Sequence, residues 1–144
     1  MKRLAGSYRG APDAICAVLT VTGLVIDAVV HLRLASRYDP IGGTLNQGVL
    51  FRVEAVVAIL IAAAVLLAPW RRAVYAGAFV VAASAFGAVM LYRYVNVGSL
   101  GPLPNMYEPI WFGQKTLSAY AEAGALLSAG AGIISTWRPA HRNT

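Results

Sequence analysis

Apolar residues dominate this chain in four runs, near 13–34, 46–69, 72–95 and 115–137. A helix crosses a bilayer with roughly 20 predominantly apolar residues, and each run reaches that length. The pattern predicts an all-α fold, a four-helix transmembrane bundle, with residues 1–144 forming a single integral membrane domain. A second pattern is written inside the first. Asp27 and His31 are four residues apart, with Gly23 and Thr20 continuing the stripe; Gln47 and Glu54 are seven apart; Ser118 and Glu122 are again four apart. Residues at those spacings share one face of a helix. Each of these helices therefore carries a polar edge that can turn toward a common interior.

Basic residues set the expected orientation. Lys2, Arg3 and Arg9 precede the first run, Arg71 and Arg72 sit in the break after the second, and Arg138 and Arg142 follow the fourth. Those seven outnumber the five at the opposite ends, Arg33, Arg37, Arg52, Arg93 and Lys115. Lys and Arg gather on the cytoplasmic side of short loops, which predicts an N-in, C-in protein. In that topology Asp27, His31, Gln47, Glu54, Tyr92, Arg93, Lys115, Ser118 and Glu122 all fall in the outer half. The inner half is nearly pure Ala, Val, Leu and Ile.

Composition agrees with membrane residence. The chain is 58% hydrophobic and only 12% charged, about half the charged share of an average soluble domain. Its net charge of +6 comes from small clusters at helix ends, so orientation in the bilayer explains it better than nucleic-acid binding. Lone Cys16 excludes an internal disulfide and a cysteine metal site, and Ile15 before it argues against a lipid anchor. Residues 1–30 resemble a signal peptide in outline, but the apolar stretch exceeds an h-region and no small-x-small cleavage site follows it. The expectation is a retained first helix.

The connections differ in character. Ser36 to Leu45 holds Tyr38-Asp39-Pro40-Ile41-Gly42-Gly43, a turn by its Pro and Gly content. Trp70-Arg71-Arg72 is a tight turn that makes helices 2 and 3 a hairpin. From about Asn96 to Gln114, the residues Gly98, Gly101, Pro102, Pro104 and Pro109 forbid a continuous helix, while Leu103, Met106, Tyr107, Ile110, Trp111 and Phe112 are too apolar for a plain solvent loop. This segment is expected to lie on the outer membrane surface or to fold back over the bundle. Small residues for close helix packing are Ala83 and Gly87 in helix 3, and Ala121, Gly124, Ala125, Ser128, Ala129 and Gly132 in helix 4.

Ionisable groups inside a membrane are costly and face a bundle interior or a wet cavity. Three readings of them stay open. In the first, Asp27, Glu54 and Glu122 pair with Arg52, Arg93 and Lys115 as structural ion pairs. In the second, Asp27, His31, Glu54, Arg93 and Glu122 line an outer pocket that binds a polar headgroup, a quinone ring or a small metabolite, with the 96–114 segment as lid. In the third, Asp27, His31, Glu54 and Glu122 form an N/O metal site. Paired Glu-x-x-His motifs of di-iron bundles are absent, and His141 is in the tail, so two-histidine haem ligation within one chain is excluded. No G-x-S-x-G elbow and no glycine-rich phosphate loop occurs, so neither nucleophilic catalysis nor nucleotide binding is supported. No cofactor is specified.

His31-Leu32-Arg33-Leu34, Tyr38, Leu50-Phe51 and Tyr107-Glu108-Pro109-Ile110-Trp111 give the chain a sparse likeness to small four-span membrane proteins of high-GC, actinobacterial-type bacteria. In size and span count it also resembles the DoxX-type group. The resemblance implies a multi-pass protein of the bacterial inner membrane and transfers no activity. The function expected is ligand binding in the outer pocket, or service as an accessory subunit of a membrane complex or homo-oligomer. The alternative is a redox or proton-coupled transport role, with Glu54 and Glu122 relaying protons and Asp27 and His31 holding a quinone or metal.

Overall fold

The computed structural model describes residues 11–42 and 45–137; Lys2, Arg3, Arg9, Gly43, Arg138, His141 and Arg142 lie outside the described residues. Four helices follow one another: α1 (Ala11–Tyr38), α2 (Gln47–Leu67), α3 (Arg72–Tyr94) and α4 (Gly113–Ser135). All four are long and apolar enough to cross a membrane. Among the described residues the only extended pairing is an isolated bridge between Leu100 and Leu103.

Helix α1 continues a turn beyond the end expected near 34, to Tyr38, where that side chain packs on the Phe51 ring with centroids 4.9 Å apart. Pro40 then disfavours helical backbone in the residue before it. Entry into α2 is capped by Asn46, whose side chain accepts from Val49 N at 2.8 Å, satisfying an amide that has no intrahelical partner. Gly48 lets the start of α2 lie against the end of α1: a Cβ there would run into the Asp39 carboxylate and the Ala35 carbonyl. Arg52 grips Asp39 with both terminal nitrogens, at 2.6 and 2.8 Å. Its hydrogen bonds hold the Asp39 carboxyl below the usual carboxylate range.

In cross-section the helices follow the order α4, α1, α2, α3. α1 packs extensively against both α2 and α4, and α3 against α4; the α2–α3 seam is the thinnest between neighbours, and α1 barely meets α3. Alanine fills the centre: Ala17, Ala28, Ala55, Ala58, Ala78, Ala125 and Ala129 are fully buried, joined by Leu24, Val65 and Tyr75. The bulky residues point outward instead, including Leu60, Leu67, Val80 and Leu127. A surface so apolar on every side suits lipid rather than water, and small residues inside let membrane helices approach without a hydrophobic driving force.

Of the packing residues expected from sequence, Ala121, Ala125, Ser128, Ala129 and Gly132 are buried, whereas Gly124 is exposed and a Cβ on Gly87 or Gly124 would meet nothing within 4 Å. A close α1–α4 crossing uses Gly23 of α1, where a Cβ would lie 2.6 Å from Ala121 O and 2.9 Å from Ala125 Cβ. At the far end Gly132 receives the Tyr75 ring.

Gly23→Ala should therefore destabilise the bundle by about 1–3 kcal/mol through overpacking, while Gly87→Ala should be neutral or stabilising by up to about 1 kcal/mol. Denaturant unfolding in mixed micelles, followed by helicity, measures both. The Arg52–Asp39 pair carries a pH signature. Because the folded carboxyl is depressed, its contribution is present above the unfolded value of about 3.9 and is lost as pH falls through the folded one. The difference in melting temperature between wild type and Arg52→Gln should be constant near neutrality and vanish below that range; a difference persisting at lower pH would contradict the assignment.

Candidate functional site

The polar edges converge where α1 ends, α2 begins, α3 ends and α4 begins, all at one end of the antiparallel bundle. Asp27 and Glu122, each 1% exposed, face one another across the α1–α4 seam. His31 Nδ1 lies 2.9 Å from Asp27 Oδ1 and 3.1 Å from the Asp27 carbonyl. Ser118 Oγ is 2.8 Å from Asp27 Oδ1 and 2.7 Å from Glu122 Oε1. One turn spacing on each helix brings the four groups into a single line: Glu122, Ser118, Asp27, His31. A hydroxyl has one proton to give, so Ser118 cannot donate to both carboxylates at once. With both carboxyls ionised, one of the two contacts is an oxygen–oxygen approach with no proton in it, which a shared proton or a cation relieves. The second oxygen of Glu122 is buried with no hydrogen-bond partner among the described residues.

Deeper in the same seam, Thr20 Oγ1 and Ser128 Oγ are 2.9 Å apart and buried, so the α1 stripe seen in the sequence continues as a helix-to-helix contact. Gln47 and Glu54 do share a face of α2, and that face looks into a cavity of about 390 Å³. His31 and Ser118 reach its wall from α1 and α4, Ser84 and Tyr92 from α3, and Lys115 and Glu108 from its end. Most of the remaining lining is apolar, including Val30, Leu34, Leu50, Phe51, Ala85 and Phe112. His31 meets the Phe51 ring edge-on at a centroid distance of 5.0 Å. Glu54 Oε1 is buried without a hydrogen-bond partner among the described residues. Val53, Ser84 and Ala88 border the cavity and are exposed on the bundle's flank, so it opens through the thin α2–α3 seam.

The segment from Asn96 to Phe112 folds back across this end. Glu108 is its anchor. Its carboxylate accepts from Tyr38 Oη at 2.5 Å, its carbonyl accepts from Lys115 Nζ at 2.6 Å, and its amide donates to the Tyr92 carbonyl at 3.0 Å. Three helices are thus tied to one loop residue.

The ion pairs expected from sequence are replaced by others. Arg52 serves Asp39, and Lys115 serves Glu108, at 4.0 Å to its carboxylate. Arg93, expected at the pocket, is not among the residues that line it; its guanidinium sits 5.5 Å from the Tyr94 and Trp111 ring centroids. Its aromatic neighbours, Tyr94 next in the chain and Trp111 of the back-folded loop, take the guanidinium instead of the buried acids. Asp27, His31 and Glu122 are brought together within 4.8 Å by their ligand atoms, while Glu54 stands across the cavity wall from that trio. Sequence reasoning missed Tyr38 and Lys115 as site residues. Their signal was position alone, at the ends of helices beside a loop containing an isolated acid.

Protein-family models, curated proteins and solved structures give no match to this chain. Its chemistry is therefore carried by the site itself.

Ser118 is the link between the two buried carboxyl groups, so Ser118→Ala should cost about 1–3 kcal/mol, the penalty for leaving buried polar groups unsatisfied. Thr116→Ala, which loses only a bond to the Phe112 carbonyl of 3.2 Å, should cost clearly less. Equal losses in detergent unfolding would show that Ser118 contributes packing alone.

Proposed function

We propose that this protein binds a small amphipathic molecule in the cavity at the polar end of its bundle. The observation that carries the reading is the Glu54 carboxylate, whose buried oxygen has no partner among the described residues yet faces a cavity of ligand size. Small-molecule sites are concave, mostly apolar and supplied with a few convergent polar groups; here these are Glu54, His31, Gln47, Ser118 and Tyr92. A buried polar atom left without a partner calls for one from outside the chain. The opening between α2 and α3 lies on the flank of helices apolar enough to span a membrane, which favours an occupant arriving from lipid, its polar head at His31 and Glu54 and its apolar part toward Val53 and Ala88.

We read the protein as N-in and C-in, with the cavity in the outer leaflet of a bacterial inner membrane; the excess of basic residues beside the termini and in the 71–72 turn supports the orientation. Loop residues 96–112 then close the cavity from the outer face. Asp27 and Glu122 stand behind the wall and fix His31 and Ser118 in place. An accessory role in a membrane complex is compatible with the same fold, but ligand binding has the specific support of the cavity.

The test is solvent extraction and mass spectrometry of protein released gently from its own membrane. Wild type should carry about one equivalent of a small organic molecule, with Ala88→Trp removing it by filling the opening, and Glu54→Gln weakening retention roughly tenfold, as loss of one charged hydrogen bond implies. A wild-type extract identical to that of Ala88→Trp would overturn the proposal. A reporter fused to the C-terminus and active only outside the cytoplasm should stay silent; activity would reverse the orientation without removing the cavity.

A further inference from the structure

Behind the cavity wall, Asp27, His31 and Glu122 present ligand atoms that all lie within 4.8 Å of one another. We infer that these three side chains form a binding site for a divalent first-row transition-metal ion. The inference goes beyond ligand binding in the cavity and stands whether or not an organic molecule occupies it.

Three features carry it. Glu122 is 1% exposed, and its Oε2 has no partner among the described residues, so a buried carboxylate oxygen with free lone pairs belongs to the trio itself. His31 Nδ1 and Asp27 Oδ1 stand 2.9 Å apart, a hydrogen-bond distance, and the three ligand atoms lie within 4.8 Å of one another, close enough to converge on one ion. Charge is the third. Two carboxylates and a neutral imidazole sum to −2, so a divalent ion yields a neutral centre, the arrangement that low-dielectric surroundings tolerate best. One imidazole with two carboxylates is a borderline-to-hard set suited to zinc, manganese or ferrous iron.

The ion also resolves the shortage of protons at Ser118. With both carboxylates coordinated, the hydroxyl donates to one of them and no carboxyl has to be neutral. Ser118 then orients a ligand from outside the coordination sphere. His31 coordinates through Nδ1 and keeps Nε2–H, on a ring that forms part of the cavity wall. Gly23, packed against Ala121 and Ala125, holds α1 and α4 close enough for ligands from both helices to share one ion. Glu54 is outside the trio; His31 is shared, with its Nδ1 toward Asp27 and its ring forming part of the cavity wall.

The experiment uses full-length protein purified in detergent without chelators, analysed by inductively coupled plasma mass spectrometry. The same protein is then stripped with EDTA and titrated with Zn²⁺ and, separately, Mn²⁺ while its melting temperature is followed. About one equivalent of metal per chain, or a saturable rise in melting temperature at one equivalent of either ion, is expected. Asp27→Asn and Glu122→Gln should weaken that response at least about tenfold, and Asp39→Asn, which removes a carboxylate outside the trio, should leave it unchanged. If Asp27→Asn fails to fold, the wild-type titration decides alone. Folded wild type that contains no stoichiometric metal and whose melting temperature responds to neither ion would overturn the site. Loss of the response in Asp39→Asn as well would overturn the three-residue assignment.

Discussion

The Asp27 carboxylate must be satisfied in the middle of an apolar bundle, and the polar end is organised around that requirement. A lone carboxylate there costs several kcal/mol. His31 answers it from one turn along α1, and Ser118 answers it from α4. These contacts require α1 and α4 to lie close together, which Gly23 against Ala121 permits. Close approach of α1 and α4 leaves α2 and α3 on the other side with the thinner seam, and the cavity is the space that remains. A single buried charge is thereby tied to helix order, helix spacing and the position of the void.

The two ends of the bundle solve different packing problems. Where α2 turns into α3, alanines interlock with Val65 and Tyr75, and the Tyr75 ring occupies the place a side chain at Gly132 would need. At the other end Val30, Leu34 and Tyr38 pack with Phe51 and Phe112, and hydrogen bonds are added to that packing: Tyr38 to Glu108, Lys115 to Glu108, Ser118 to both acids. Dispersion dominates one end, and directional bonds supplement it at the other.

How much of this was legible in the sequence follows from the range of each interaction. Helix number and length came from runs of apolar residues, which need no tertiary information. Convergence of Asp27, His31, Ser118 and Glu122 at one level was readable too, because spacings of four fix faces and antiparallel order fixes depth. Which acid meets which base was not readable. Arg52 and Arg93 sat at the right depth for Glu54 and Asp27, but side-chain direction and local competitors decided otherwise: Asp39 at the end of the preceding helix for Arg52, and the rings of Tyr94 and Trp111 for Arg93. The back-folded loop was half legible. Its apolar content required cover, and Glu108 stood out as an acid among apolar neighbours able to close the outer pocket, but nothing in the sequence showed that it would collect Tyr38, Tyr92 and Lys115.

The flank opening between α2 and α3 has a consequence for affinity. A molecule entering through it is delivered from the lipid phase, where an amphiphile accumulates far above its aqueous level. Occupancy then depends on competition with surrounding lipid rather than on extraction from water, and no hydrophobic transfer remains to be gained inside. Discrimination falls to the few polar contacts at the inner end of the cavity. Such a site can be weak by the measure of aqueous titration, filled in its membrane, and selective for the head of its ligand while indifferent to the tail.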